Sequence, residues 1–178
     1  MSLIGVRAPD FRLAAVRGDR VEDEVALEEF RGRWLVLFFY PGDFTFVCPT
    51  EIRALAARAD EIGERDAAVV LVSTDSVYSH HAWAATPAAR GGIGPVPFAL
   101  ASDRLHQVSR TYGVLDERTG TSQRATVIVD PQGEVRYTVV HDPSVGRSVD
   151  ELLRVLDGLG SGELCPVDWR LGDPHLDR

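Results

Sequence analysis

Cysteine is scarce in this 178-residue chain: Cys48 and Cys165 are the only two. They form no C-x-x-C redox pair, and a structural zinc site would need about four clustered ligands. A disulfide between them in a reducing compartment would be transient and catalytic rather than structural. Long apolar runs are also missing, and no stretch approaches the ~18 residues of a membrane span. Met1 to Arg7 carries neither the basic stretch nor the apolar core of a secretory signal, which makes the cytoplasm the expected compartment. Positive charge is in deficit, with 19 basic against 27 acidic residues and a net charge of −8. No Lys/Arg-rich face is available for nucleic acid. There are no repeats, low-complexity segments or linkers. The glycine run Gly91-Gly92-Ile93-Gly94 is followed by Pro95 and not by Lys-Ser/Thr, so it reads as a flexible connection and not a phosphate cradle.

What remains is a single-domain length and an apolar share of 44%, ordinary for a globular protein. Phe11–Val16 and Val21–Val25, separated by a glycine turn, predict an N-terminal hairpin. Trp34–Tyr40 and Ala67–Ser73 are unbroken apolar runs suited to strands buried on both faces. The helix expected between them, from Cys48 to Glu61 or Glu64, makes a right-handed crossover with parallel pairing. Further helices are expected over Ser79–Ala85, Asp103–Tyr112 and Val149–Leu159, the last ended by Gly158 and Gly160. Phe98–Ala101 predicts a strand, and Arg124–Asp130 with Val135–Val140 predicts a second hairpin. The adjacent His80 and His81 point to different faces and read as exposed helix residues. The pattern gives an α/β fold with a central mixed sheet flanked by helices.

Chemistry concentrates in Phe38–Glu51. The run ends at Tyr40-Pro41, and Pro49 marks the first turn of a helix, so the Cys48 thiol is expected at a helix N-terminus beyond a central strand. Unpaired N–H groups and the helix dipole favour an anion there, which makes a reactive thiolate the preferred reading over an inert buried thiol. Thr45 lies one turn back, where its hydroxyl can meet whatever the sulfur meets. Pro41 offers no N–H and can wall the sulfur from water.

The pattern Pro41-x-x-x-Thr45-x-x-Cys48-Pro49-Thr50-Glu51 resembles the peroxidatic motif of the typical two-cysteine peroxiredoxins, the group that includes the alkyl hydroperoxide reductase C component. The likeness continues in Ala8–Phe11, Ser73–Ser76, His81–Trp83 and Asp142–Ser148, and Gly162–Trp169 resembles the segment bearing the resolving cysteine. It implies a thioredoxin-like fold with an N-terminal extension, residues 1–160 forming the domain and 161–178 a tail carrying Cys165. It implies thiol-dependent reduction of hydrogen peroxide or an alkyl hydroperoxide without metal, haem or flavin. Arg124 would touch the sulfur and Glu51 would orient Arg124; Arg12, Arg33, Arg53 and Arg110 are equally charged, and only the resemblance selects among them. Cys165 would resolve the Cys48 sulfenic acid across a homodimer, and the resemblance leaves open a plain dimer or a ring of dimers such as a decamer. A thioredoxin or a dedicated disulfide reductase would reset the enzyme. A chaperone scaffold on the same fold is the competing class, but retention of Thr45, Cys48 and Arg124 together favours the enzyme. The tail, poor in apolar periodicity, is expected to need a neighbouring surface for order. Peroxide-sensitive members pair a Gly-Gly-Leu-Gly loop with a Tyr-Phe helix. Here Gly172 and Pro174 follow Cys165 and no Tyr-Phe does, which implies resistance to over-oxidation.

Overall fold

The structure is a computed structural model and describes residues 3–177. Its sheet grows outward from β3 (Trp34–Phe39), whose side chains alternate between two cores. Val36 and Phe38 face one cluster with Ile52, Leu55, Ile62, Trp83 and Leu152, while Leu35, Leu37 and Phe39 face another with Phe11, Tyr112, Val114 and Val127. An unbroken apolar run is the sequence form of a strand covered on both sides.

β4 (Ala67–Ser73) lies parallel to β3, and β8 (Arg124–Val129) lies antiparallel on its other side. With the hairpin β1 (Arg12–Arg17) and β2 (Arg20–Ala26), β5 (Ala99–Ser102) and β9 (Val135–His141), the seven-stranded mixed sheet has the order β2-β1-β5-β4-β3-β8-β9. A small second sheet pairs β6 (Leu115–Asp116) with β7 (Thr121–Ser122). The connection from β3 to β4 carries α1 (Cys48–Ala57) and α2 (Ala59–Glu64), and α3 (Val77–Ala85) follows β4. α4 (Gln107–Thr111) precedes the small sheet, and α5 (Val149–Ser161) closes the fold.

Several expectations are corrected. The helix from Cys48 is broken at Arg58, whose N–H reaches back only three residues, to Leu55 O at 3.0 Å, before winding resumes. The first turn expected of α4 is instead a bend, because the Asp103 carboxylate takes the N–H groups of Val108 and Ser109 and His106 is left-handed at φ 59°. Gly158 and Gly160 do not end α5; Gly162, left-handed at φ 68°, does. The Gly91–Gly94 loop, expected as a flexible connection, is docked against α3. Trp83 Nε1 donates to Gly91 O at 2.9 Å, Ile93 is buried, and a Cβ on Gly92 would lie 1.9 Å from Thr86 O. His81 is exposed as expected, but His80 is fully buried.

The tail also departs from expectation, since it finds its surface on its own chain. Trp169 is 2% exposed, stacks on His175 at 5.1 Å and donates from Nε1 to Asp173 O at 3.0 Å. Leu176 N–H closes the loop on Leu164 O at 2.9 Å, and Arg154 of α5 donates to Trp169 O at 3.5 Å. One indole supplies the small core that periodicity did not announce.

Candidate active site

Tyr40 prolongs β3 by one bond, N–H to Val72 O at 3.0 Å, after which Pro41 ends the strand. The chain bends through Gly42, Asp43 and Phe44, the last left-handed at φ 54°, and enters α1 at Cys48 with Pro49 in the first turn. Cys48 is fully buried at a helix N-terminus, in a first turn where Pro49 has no N–H and those of Thr50 and Glu51 donate to Val47 O at 3.0 and 3.3 Å. The expected placement holds.

β8 runs antiparallel to β3 with Ala125 opposite Phe39, which sets Arg124 beside the point where β3 turns toward Cys48. Arg124 Nη1 lies 3.6 Å from Cys48 Sγ and also donates to Glu51, while Nη2 donates to Pro143 O at 2.8 Å. Its Nε is buried and has no partner among the described residues. An unsatisfied buried donor costs about 1–3 kcal/mol.

Glu51, one helical turn after Cys48, collects both arginines of the site. Arg147 donates to it from N at 2.7 Å, from Nε at 2.9 Å and from Nη2 at 3.0 Å. Burial alone would push the Glu51 carboxyl up; the Arg147 bonds and charge, joined by the charge of Arg124, offset burial and hold it below the ordinary carboxylate range. Burial likewise pulls the Arg147 guanidinium down and Glu51 raises it again, and an arginine remains charged throughout. Arg147 further donates to Phe39 O at 2.9 Å and Ala125 O at 2.6 Å, bridging the ends of β3 and β8, and its guanidinium lies 3.2 Å from the Phe38 ring centroid. Two cations and one carboxylate leave one net positive charge beside the sulfur. An anion at Sγ would neutralise it.

Sequence reasoning assigned Arg147 no role, although it stands in the Asp142–Ser148 segment. It occupies an irregular stretch where charge has no periodic meaning; the available signal was an arginine directly after Gly146, whose added Cβ would lie 3.6 Å from Val47 Cγ1 and 3.8 Å from Glu51 Cγ.

Thr45 is exposed, and its hydroxyl donates to Gly42 O at 2.9 Å. Pro41 is half-buried at the strand end. Cys165 stands apart at the far end of α5, its Sγ 3.6 Å from Ser161 Oγ and 3.8 Å from Gly158 O, and both cysteines are free thiols. The structure therefore brings Cys48, Glu51 and Arg124 together and adds Arg147, with Cys165 held elsewhere.

Beneath the bend lies a buried polar cluster that the sequence reading missed. The Asp43 carboxylate accepts from Tyr40 OH at 2.9 Å and faces His80 Nδ1 at 2.9 Å, while Asp43 N–H donates to Asp75 Oδ2 at 2.9 Å. Burial, followed by the Asp43 charge, holds the Tyr40 phenol well above its ordinary value, so it stays a donor.

Comparison with known proteins agrees with this geometry. Residues 4–138 match the AhpC/TSA family. Peroxiredoxin tpx1 of Schizosaccharomyces pombe is 47% identical over 99% of this chain and 94% of its own. The human protein named thioredoxin-dependent peroxide reductase, mitochondrial, is 46% identical over 95% of this chain and 67% of its own. The reduced two-cysteine peroxiredoxin of Plasmodium vivax superposes with a TM-score of 0.95 at 41% identity, covering 98% of this chain and 93% of that one. With matches of this extent and a buried cysteine, glutamate and arginine joined as described, the chain belongs to the AhpC/TSA family, as a two-cysteine peroxiredoxin and hence an oxidoreductase.

Proposed function

We propose that this peroxiredoxin reduces hydrogen peroxide or an alkyl hydroperoxide at Cys48, is resolved by Cys165 of a second copy, and is reset by a dithiol protein of thioredoxin type. The observation that carries the reading is Arg124, whose Nη1 lies 3.6 Å from Cys48 Sγ and is paired with buried Glu51. The Cys48 thiolate attacks the terminal hydroxyl oxygen of the hydroperoxide. The O–O bond breaks, the sulfur is oxidised to sulfenic acid, and the departing alkoxide or hydroxide takes a proton to leave as alcohol or water. Arg124 stabilises the charge on the leaving oxygen. Thr45, whose own hydrogen is given to Gly42 O, has lone pairs to accept the hydroperoxide O–H.

The Cys165 thiol then condenses with the sulfenic acid, forming the S–S bond and releasing water. A disulfide needs Cα atoms about 4.4–6.8 Å apart, and Cys48 is sealed in α1 while Cys165 rests on Gly158, so the first turn of α1 and the tail 161–178 must both open. Exchange with a dithiol resets both thiols, and the thioredoxin dependence in the human relative's name supports that class of reductant. The edge proposed for the second copy is β9, a terminal strand with Val140 exposed and, among the described residues, with only its Val135 end bonded to Gly5 and Val6.

The test is stoichiometry. Cys48→Ser should consume no peroxide, and Cys165→Ser should consume one equivalent and stall. Continued turnover of Cys165→Ser with a thioredoxin-type reductant would refute the two-cysteine cycle.

A further inference from the structure

The bend that carries Thr45 is strained. Phe44 is a bulky residue in the left-handed region, which costs on the order of 1–3 kcal/mol and persists only where its surroundings over-determine it. Three contacts do so. The Phe44 ring lies 6.1 Å from the ring of buried Trp83, the Asp43 side chain is held by Tyr40 and His80, and the Asp43 backbone N–H is held by Asp75 Oδ2 at 2.9 Å.

Asp75 is the contact with no evident purpose of its own. It leaves the end of β4, where its N–H donates to Ser73 Oγ at 3.1 Å and its Oδ2 accepts from Ser73 Oγ at 2.8 Å, so the carboxylate is locked before it meets the bend. A Cβ added to Gly42 would lie 3.4 Å from Asp75 Oδ2 and 3.8 Å from Thr45 Cγ2. Gly42 thus lies against both the Asp75 carboxylate and the Thr45 methyl group. The Gly42 carbonyl is also the acceptor that fixes the Thr45 hydroxyl. We infer that Asp75, acting through the Asp43 N–H and Gly42, is a positioning residue that orients the Thr45 hydroxyl toward a hydroperoxide at Cys48. The inference rests on the peroxidase reading above and adds a residue that touches neither sulfur nor substrate.

A misplacement of about 1 Å in a positioning contact can cost up to about a hundredfold in rate. Rapid mixing of the reduced protein with hydrogen peroxide should therefore show Asp75→Ala slowed by about tenfold or more. Alkylation of Cys48 by iodoacetamide, which has no use for Thr45, should change by less than about threefold. Asp75→Asn keeps an acceptor for the Asp43 N–H and should recover most of the rate. In a Thr45→Val background, Asp75→Ala should cost less than about threefold more, because the residue through which it acts is already gone. If Asp75→Ala lowers alkylation and peroxide reaction equally, or if its loss simply multiplies that of Thr45→Val, the inference fails. Should Asp75→Ala not fold, Ser73→Ala, which removes one bond to the same carboxylate, must show the same selective loss. Unchanged peroxide rates in these variants, with an active wild type, overturn this inference alone; an inactive wild type overturns the peroxidase reading with it.

Discussion

Glu51 is 4% exposed and ionised, a combination that water-stripped carboxylates reach only with strong partners. Removing Arg147 would leave that charge with Arg124 alone, so Arg147→Ala should cost about 3–5 kcal/mol, read from the midpoint of urea unfolding. Arg147→Lys should recover little, because an ammonium cannot span Glu51, Phe39 O and Ala125 O at once. The same depressed carboxyl sets a pH dependence. Since its folded value lies below the ordinary 4.5, its stabilisation is complete above about pH 4.5 and is lost as the pH falls through the depressed value. Thermal unfolding followed between about pH 3 and pH 6 should show a steep acid limb in the wild type and a shallower one in Glu51→Gln. At this scale the motif around Cys48 was legible because its chemistry is local: a strand end, a proline and a helix start. Arg147 and Asp75 were not, since what they do depends on which strand ends the sheet order brings together.

Elements were legible where burial alone dictates the pattern. β3 and β4 stand almost where their apolar runs place them, because a strand covered on both faces leaves no polar position to blur its ends. The misread elements are those where a tertiary contact overrides a local signal: the Asp103 carboxylate displaces the first turn of α4, and Gly158 lies in α5 with Cys165 against it. The Gly91–Gly94 loop is the clearest instance. Its glycines suggested freedom, yet Gly92 is required for close approach, with its N–H on Pro87 O at 3.2 Å and no room for a methyl group against Thr86 O. Gly92→Ala should therefore push the loop off α3, break the Trp83 Nε1 bond to Gly91 O and cost about 1–3 kcal/mol. A lower urea midpoint with a red shift in tryptophan emission would show this; an unchanged midpoint would mean that the loop moves freely as its composition suggested.

At the scale of the whole molecule, the proposed resolution requires Cys48 and Cys165 to meet. Within one chain each thiol is engaged locally, Cys48 with Arg124 and Cys165 with the end of α5. The tail is not loose, since Trp169 anchors it to its own chain and any reach toward a sulfur must first undock a buried indole. Burial of a large aromatic is worth about 1.5–3 kcal/mol, a cost a second copy can offset if its surface receives the tail. On the proposed intersubunit reading, that copy would pair at an edge of the sheet. Its two terminal strands are β2 and β9, and β9 continues directly from β8, which carries Arg124, so pairing at β9 sets a second chain within two strands of the first chain's sulfur. A charge near the C-terminal end of that edge should oppose the pairing. Val140→Arg is therefore expected to shift the reduced protein toward monomer in sedimentation velocity. After stoichiometric peroxide the wild type should run as a covalent dimer on a non-reducing gel, and Val140→Arg at low protein concentration should run largely as monomer with Cys48 oxidised. If the wild type instead gives only a monomeric oxidised band while Cys165→Ser stalls, the disulfide closes within one chain and β9 has no part in resolution.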